Sequence, residues 1–534
     1  MLPSLTSMEA SQYAPVPTRL DASQILASID ERPGTPTHGP GVFWPGEYGA
    51  LGDGATLDTE AIQRAVDAAA RSGGGTVVLT PGVYVCGGVE LKSNVTLHLE
   101  AGAYLWGAER REDYVHPRGH LVFAKGAANV ALRGRGTVYG NTHALMSFGT
   151  DRFPDRLVPG VWRPANTLDF DGCTDLLLED VTVRNTPAWA VRPIRCDRVV
   201  IRGITILNGL LPNVDKVSNG DGLDIDACTR VRVSDCFIQS SDDAICLKIT
   251  EPDEERVPLC RDITITNCVM HSAETAIKIG TESHGEFRNI VIQNCTVIDA
   301  AGGIGMVMRD GGLIDGVHVS NVVISQDTAE RPGCAFFFRG YRRSDDTPRD
   351  GLVRNVTISD VTATSYASLC MVGPEAKVFR DIVFRNVRLN IHGTAPRPWA
   401  ERVPVPNHPF GMLSTPYEIY IQDASDIRLE NVSFRWDDQV NPQWTRAMRF
   451  IDVDGLRVVG FRGRQGGDAS CAVASLENVR DAVFRDCELD EGSGPFIEAA
   501  GACRDILLLN NDLRHAAETL RLSDGVDRAQ FEVR

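Results

Sequence analysis

The stretch Asn219-Gly-Asp-Gly-Leu-Asp-Ile-Asp226 is followed shortly by Ser240-Ser-Asp-Asp-Ala-Ile-Cys-Leu-Lys248. Asp221 and the pair Asp242/Asp243 are therefore 242 − 221 = 21 residues apart, about the length of one turn of a repeating β-coil. A chain wound that way would bring three carboxylates to one surface patch. Converging carboxylates repel one another, which raises the pKa of one member and lets an Asp hold a proton near neutrality beside ionised neighbours. That is acid and base equipment. Which of the three keeps the proton is left open by the spacing. Asn219 reads either as a hydrogen-bonding partner of a catalytic carboxylate or as a turn residue. Asp224, Asp226 and Asp235 read as turn or stacking residues, since β-coils use Asp freely in their corners.

The elements that would position these groups follow from a repeated phrase. It consists of a small or polar residue, Asp or Asn, an alternating apolar stretch, Asn or Asp, and a second alternating stretch. Copies include Cys173–Val183, Cys196–Ile206, Cys260–Met270, Phe287–Val297, Val353–Ala363 and Phe379–Leu389. Strict alternation marks strands with one buried face, and the intervening Asn or Asp tolerates a left-handed turn. A unit this short cannot bury its own apolar face, so successive units must stack at roughly 4.8 Å around a shared core. The architecture expected is an all-β, single-domain parallel β-helix. A β-sandwich would call for Asn-Gly hairpins between paired strands, and these are scarce.

Asp58–Arg71 has apolar residues at helical spacing, an Asp at its start and the stop Ser72-Gly-Gly-Gly75. It reads as a helix plugging the open end of the coil. Residues 1–40, rich in Pro, Ser and Thr, read as an arm or a disordered tail. Residues 41–105 read as the cap and first coils, and 106–534 as the catalytic coil, interrupted by a long proline-containing loop at about 393–416.

Composition narrows the functions. A formal charge of −17 argues against nucleic acid and against an anionic membrane surface. No apolar run of about 18 residues occurs. The segment Met1–Met8 lacks the basic start and apolar stretch of a signal peptide, so the expected location is the cytoplasm. Most of the fourteen cysteines fall at fixed places in the repeat and none forms a C-x-x-C pair. They read as small buried wedges rather than as disulfides or metal ligands. No metal or other cofactor is expected.

Several phrases together resemble glycoside hydrolase family 28, the polygalacturonase-like pectin hydrolases, and its bacterial branch in particular. They are Tyr48–Gly54, Ala61–Val66, Gly73–Tyr84, Leu91–Ala103, Trp189–Pro193, the two aspartate motifs and Ile279–Gly285. The opening phrases are shared by many β-helix proteins, lyases included, and speak for fold; the aspartate motifs are more specific. The resemblance implies a right-handed β-helix of the pectin-lyase type and inverting hydrolysis. In it, Asp242 is the general acid, while Asp221 and Asp243 position and deprotonate water. Inversion calls for carboxyl groups about 6.5 to 9.5 Å apart.

Departures from the family bear on substrate. Thr275 stands where polygalacturonate-cutting members carry a His, and His284, after the strand, is a candidate to reach the substrate from a turn, with a solvated loop His as the alternative. Where those members clamp a sugar carboxylate with an Arg-Ile-Lys strand, this chain has Gly305-Met-Val-Met-Arg-Asp310, with methionines at the places expected for the cations. Arg309, Lys278 and Lys248 are candidate substitutes. Trp189, Trp162 and Tyr341 are candidates for a sugar-stacking platform. The expected activity is exo-acting hydrolysis of pectin-derived oligosaccharides, galacturonide or rhamnose- or xylose-containing. The alternatives are a polysaccharide lyase or uronate-modifying enzyme, and a non-catalytic carbohydrate-binding β-helix.

Overall fold

The computed structural model describes residues 41–148, 156–159, 162–208, 216–217, 219–253, 255–326, 333–392, 417–436, 440 and 444–534. The arm at 1–40 and the loop at 393–416 lie outside these residues. Among the described residues, forty-one strands form one continuous parallel sheet wound into a coil, the β-helix that the repeat demands. It starts at Val42–Phe43, paired with Gly75–Leu79, and ends at Phe531–Val533. Helix α1 (Thr59–Arg71) lays Ala61, Ile62, Ala65, Val66 and Ala69 over the first rung. Asp58 precedes it, but its carboxylate accepts from the Leu51 and Gly52 amides (2.8 and 3.0 Å) rather than from the helix it was expected to cap.

Corners follow the rule read from the repeat. Each coil turns at two left-handed residues five positions apart, such as Asp262 and Asn267, Asn289 and Asn294, or Asn355 and Asp360, all with φ between 54° and 58°. Asn and Asp stand there because their short side chains tolerate this conformation and bond to the next rung. Asn321 Nδ2 donates to Asn294 Oδ1 at 2.8 Å, and Asn289 Nδ2 to Asp262 Oδ1 at 2.9 Å.

One face of the coil carries the site. Its strands are β1 (Asn166–Asp171), β2 (Trp189–Ile194), β3 (Leu223–Asp226), β4 (Ile245–Ile249), β5 (Thr275–Ser283), β6 (Gly302–Met308) and β7 (Cys334–Gly340). Leu223, Ile245, Ile277, Ile304 and Phe336 stack in register on the inside. On the outside, Asp224, Cys246, Lys278, Gly305 and Phe337 stack in the same order. Register thus converts sequence position into place along a groove. All fourteen cysteines are free thiols, and all but Cys471 are buried, in keeping with wedges between rungs. A separate three-stranded sheet, unpaired with the strands of the coil, is built from Met146–Phe148, Arg156–Pro159 and Lys216–Val217.

Candidate active site

Two rungs meet at the aspartates because Leu223 pairs with Ile245, which sets Asp221 one rung before Asp243 at the same register position. Gly222 makes the approach feasible: a Cβ there would lie 2.6 Å from both Ala244 O and Ile238 Cγ2. Asp242 sits at the corner entering β4, where Ser240 Oγ and Ser272 Oγ donate to its carbonyl oxygen at 2.7 and 2.6 Å. One oxygen from each of Asp221, Asp242 and Asp243 lies within 4.8 Å of the others. The three carboxylates therefore do converge, with one oxygen of each closer than the 6.5 to 9.5 Å expected between acid and base carboxyl groups. Asp242 is the chain neighbour of Asp243, which brings the acid close to its partners.

Their surroundings separate their roles. Asp221 and Asp243 are each only 2% exposed, while Asp242 is partly open to solvent. Burial, followed by the charges of Asp221 and Asp243, pushes the Asp242 carboxyl well above the usual carboxylate range. Burial also raises Asp221, against the opposing pull of Lys248. Asp243 bonds to the Lys278 ammonium and accepts the Thr275 amide at 3.2 Å. Lys248 Nζ lies 3.0 Å from Asp221 Oδ2, 3.1 Å from Asp224 Oδ1 and 3.9 Å from Glu282 Oε2. These ammonium groups already neutralise the deep carboxylates, so the cluster is built for proton transfer rather than as a cation cage. A protonated, accessible Asp242 beside ionised partners can give a proton to a leaving oxygen while a partner takes one from water.

The other candidates are placed unevenly. Lys278 and Lys248 face the aspartates rather than open groove. Trp189 is in the site, with Lys248 Nζ 3.9 Å and Arg192 Cζ 5.7 Å from the centre of its ring. Asn219 is exposed at a left-handed position with φ 55°. His284 Nε2 lies 3.9 Å from Asp310 Oδ2 in a network that Arg343 extends to Glu282 (3.2 Å). Trp162 packs edge-on to Tyr114, and Tyr341 lies between Arg309 (4.8 Å) and Arg339 (5.2 Å), so the three aromatic rings are engaged separately.

Two readings are corrected. Met306 and Met308 are 0% exposed and belong to the core. The outward positions of β6 are Gly305 and Val307, with Arg309 just beyond the strand. The turn reading of Asp224 and Asp226 falls and the stacking one stands: both lie in register on the outward face of β3, fully buried in the site. Asp226 Oδ2 accepts from Arg192 Nη2 at 3.0 Å and from Thr250 Oγ1 at 2.6 Å. Alternation in Leu223-Asp224-Ile225-Asp226 was the available signal, since it puts both acids on the outward face. Asp235, with φ 58°, is a corner as expected.

The profile of glycosyl hydrolases family 28 matches residues 86–398, more than half of the chain. The chain belongs to that family. This family-28 protein is a glycosidase, with the aspartates of β3 and β4 inside the matched region. A second profile, rhamnogalacturonase A/epimerase, pectate lyase-like, matches residues 46–103, in line with an opening segment that speaks for fold. A probable polygalacturonase of Vitis vinifera is 24% identical over 66% of this chain and 75% of its own length. An exo-poly-alpha-D-galacturonosidase of Dickeya chrysanthemi is 22% identical over 67% of this chain and 68% of its own. Among solved structures, an exopolygalacturonase from Thermotoga maritima superposes with TM-score 0.55 at 21% identity, covering 69% of this chain and 91% of that one. At that identity the likeness shows the fold, a right-handed β-helix.

Proposed function

We propose that this glycosidase hydrolyses galacturonide linkages in pectin-derived oligosaccharides, releasing units from a chain end with inversion. The observation that carries the reading is the convergence of Asp221, Asp242 and Asp243 within 4.8 Å, with Asp242 alone partly exposed. Asp242 protonates the leaving oxygen, and Asp221 and Asp243 activate the water. Asp221 Oδ1 is buried without a hydrogen-bond partner, an acceptor suited to a water proton. A galacturonide substrate is supported by the Dickeya relative and by guanidinium groups farther along the groove, where Arg309 and Arg339 flank Tyr341. End-on action is supported by the separate three-stranded sheet, whose last strand, Lys216–Val217, leads within a few residues to Asp221. The buried free thiols favour a reducing compartment, the cytoplasm.

One observation favours a different stereochemistry. The short carboxylate separation is nearer the 5 to 5.5 Å typical of retaining enzymes. Against it, Asp221 and Asp243 are deep and held by ammonium groups, better placed to polarise water than to attack a ring carbon. Proton magnetic resonance of the first turnovers on trigalacturonate to hexagalacturonate tests the whole reading. Monogalacturonate should be released first, as the β-anomer. An initial α-anomer would establish retention, a spread of product lengths would remove end-on action, and no cleavage at any length would remove the substrate class.

A further inference from the structure

Six carboxyl groups crowd this groove, those of Asp221, Asp224, Asp226, Asp242, Asp243 and Glu282, and the cations among them are unevenly shared. Lys278 is bonded to Asp243, and Arg192 to Asp226. Glu282 is met by Arg343 at 3.2 Å, a guanidinium it shares with Asp310 at 2.6 Å. Lys248 is left with two acids on the same rung, Asp221 and Asp224. Its contact with Asp221 Oδ2 is an aligned hydrogen bond of 3.0 Å. Its contact with Asp224 Oδ1, at 3.1 Å, is a less aligned ion pair, and Asp224 Oδ2 has no hydrogen-bond partner. Asp224 is 0% exposed and the Trp189 ring closes over Lys248. An ionised carboxylate in that position would be desolvated and would have to share a single ammonium with Asp221, a cost that proteins avoid by keeping the group neutral.

We infer that Lys248 is a positioning residue that keeps Asp221 ionised, and that Asp224 beneath it is a permanently neutral acid. The inference rests on the reading of Asp221 as a base. One ammonium charge balances one carboxylate. With Asp224 uncharged, Lys248 is committed to Asp221, which would otherwise be forced neutral by its burial and by the adjacent charge of Asp243. Burial drives the Asp224 carboxyl well above the usual range, in the same direction as the geometry. The remaining charged groups facing Asp221 are Asp242 and Lys278 from the following rungs and Arg163 ahead of β1; Arg163 and Lys278 reinforce Lys248 and Asp242 opposes it. Asp224 and Asp242 thus come out as two neutral acids in different settings. Asp242 reaches solvent and gives its proton to substrate, whereas Asp224 is sealed and keeps it.

The test compares Lys248→Met, Lys248→Arg and Asp224→Asn, using the pH profile of kcat/KM on trigalacturonate. Loss of the opposite charge in Lys248→Met should move the acid limb upward by about one to three units. In that variant kcat should fall more than KM changes, and Lys248→Arg should return most of the shift. Asp224→Asn, which replaces one neutral group by another, should leave the limb in place. In infrared difference spectra of wild type minus Asp224→Asn at neutral pH, a protonated-carboxyl band should be present; this arm needs no substrate and no Lys248 variant that folds. An unmoved limb in folded Lys248→Met, with Asp221→Asn still inactive, overturns the inference and leaves the base assignment standing. A limb moved downward in Asp224→Asn, or no such band, overturns it as well. An Asp221→Asn enzyme of near wild-type rate overturns the base assignment and the inference with it.

Discussion

Asp242 differs from its two partners in what surrounds it rather than in what it is. It is the accessible member, and burial of its carboxyl, followed by the charges on either side, keeps its proton on. Replacing it with Asn removes the proton donor and should lower kcat by about 10² to 10⁴ on oligogalacturonides with little change in melting temperature. The direction of its shift fixes the alkaline side of the rate profile: turnover persists while Asp242 is protonated and falls as pH rises through its raised value. Asp224 makes a matching prediction for stability. Its folded-state pKa lies above the unfolded one, so its contribution to stability is greatest at pH below the unfolded value and is lost as pH rises through the folded one. Asp224→Asn has no such dependence. Its melting temperature relative to wild type should therefore rise from acid to neutral pH, and a constant difference would show that Asp224 has no raised pKa. At this scale the sequence revealed which aspartates meet, because their spacing equals one coil. It did not reveal the lysines' partners, because Lys248 and Lys278 find their acids one rung back, across the stack rather than along the chain.

Strands and corners impose their own demands. Gly222→Ala would drive a methyl into Ala244 O and Ile238 Cγ2, each 2.6 Å away, and would push the rung of Asp221 off that of Asp243. A loss of about 1 to 3 kcal/mol is expected, with a fall in activity larger than that loss explains, measured by denaturant unfolding alongside kinetics. A corner tests the repeat itself. Asn294→Val places a β-branched residue at φ 55° and deletes the 2.8 Å bond from Asn321. About 1 to 2 kcal/mol should be lost, without change in kcat. Corners and inward faces were legible from alternation and from the recurring Asn or Asp. Alternation competes with familiar association at two places. β-Coils use Asp in their corners, yet Asp224 and Asp226 alternate with core residues and so stack outward in the site. The family resemblance aligns Met306 and Met308 with cation positions, while the same alternation turns them inward. The start of α1 shows the other limit, since Asp58 answers to amides at Leu51 and Gly52 that no local helix rule brings into view.

A coil has ends, and the structure shows how one of them is closed. Ile62, 0% exposed, lies at the centre of the face that α1 turns toward the first rung. Ile62→Asp would bury an unpaired charge and should cost several kcal/mol, read as a lower denaturant midpoint together with end-to-end association in light scattering as the bared rung seeks another. The parallel coil and its cap were foreseeable because neither a short repeat nor an open end can bury apolar surface alone. The separate three-stranded sheet was not, since it joins segments near 146, 156 and 216 that share no pattern. The register that stacks Gly280, Val307 and Arg339 has one more consequence. Along this groove the protein behaves as a graduated rule whose divisions are fixed at about 4.8 Å. A guanidinium can stand at one mark or the next but never between them. A glycan whose repeat falls out of step with those marks would find a contact at one sugar and bare backbone at its neighbour.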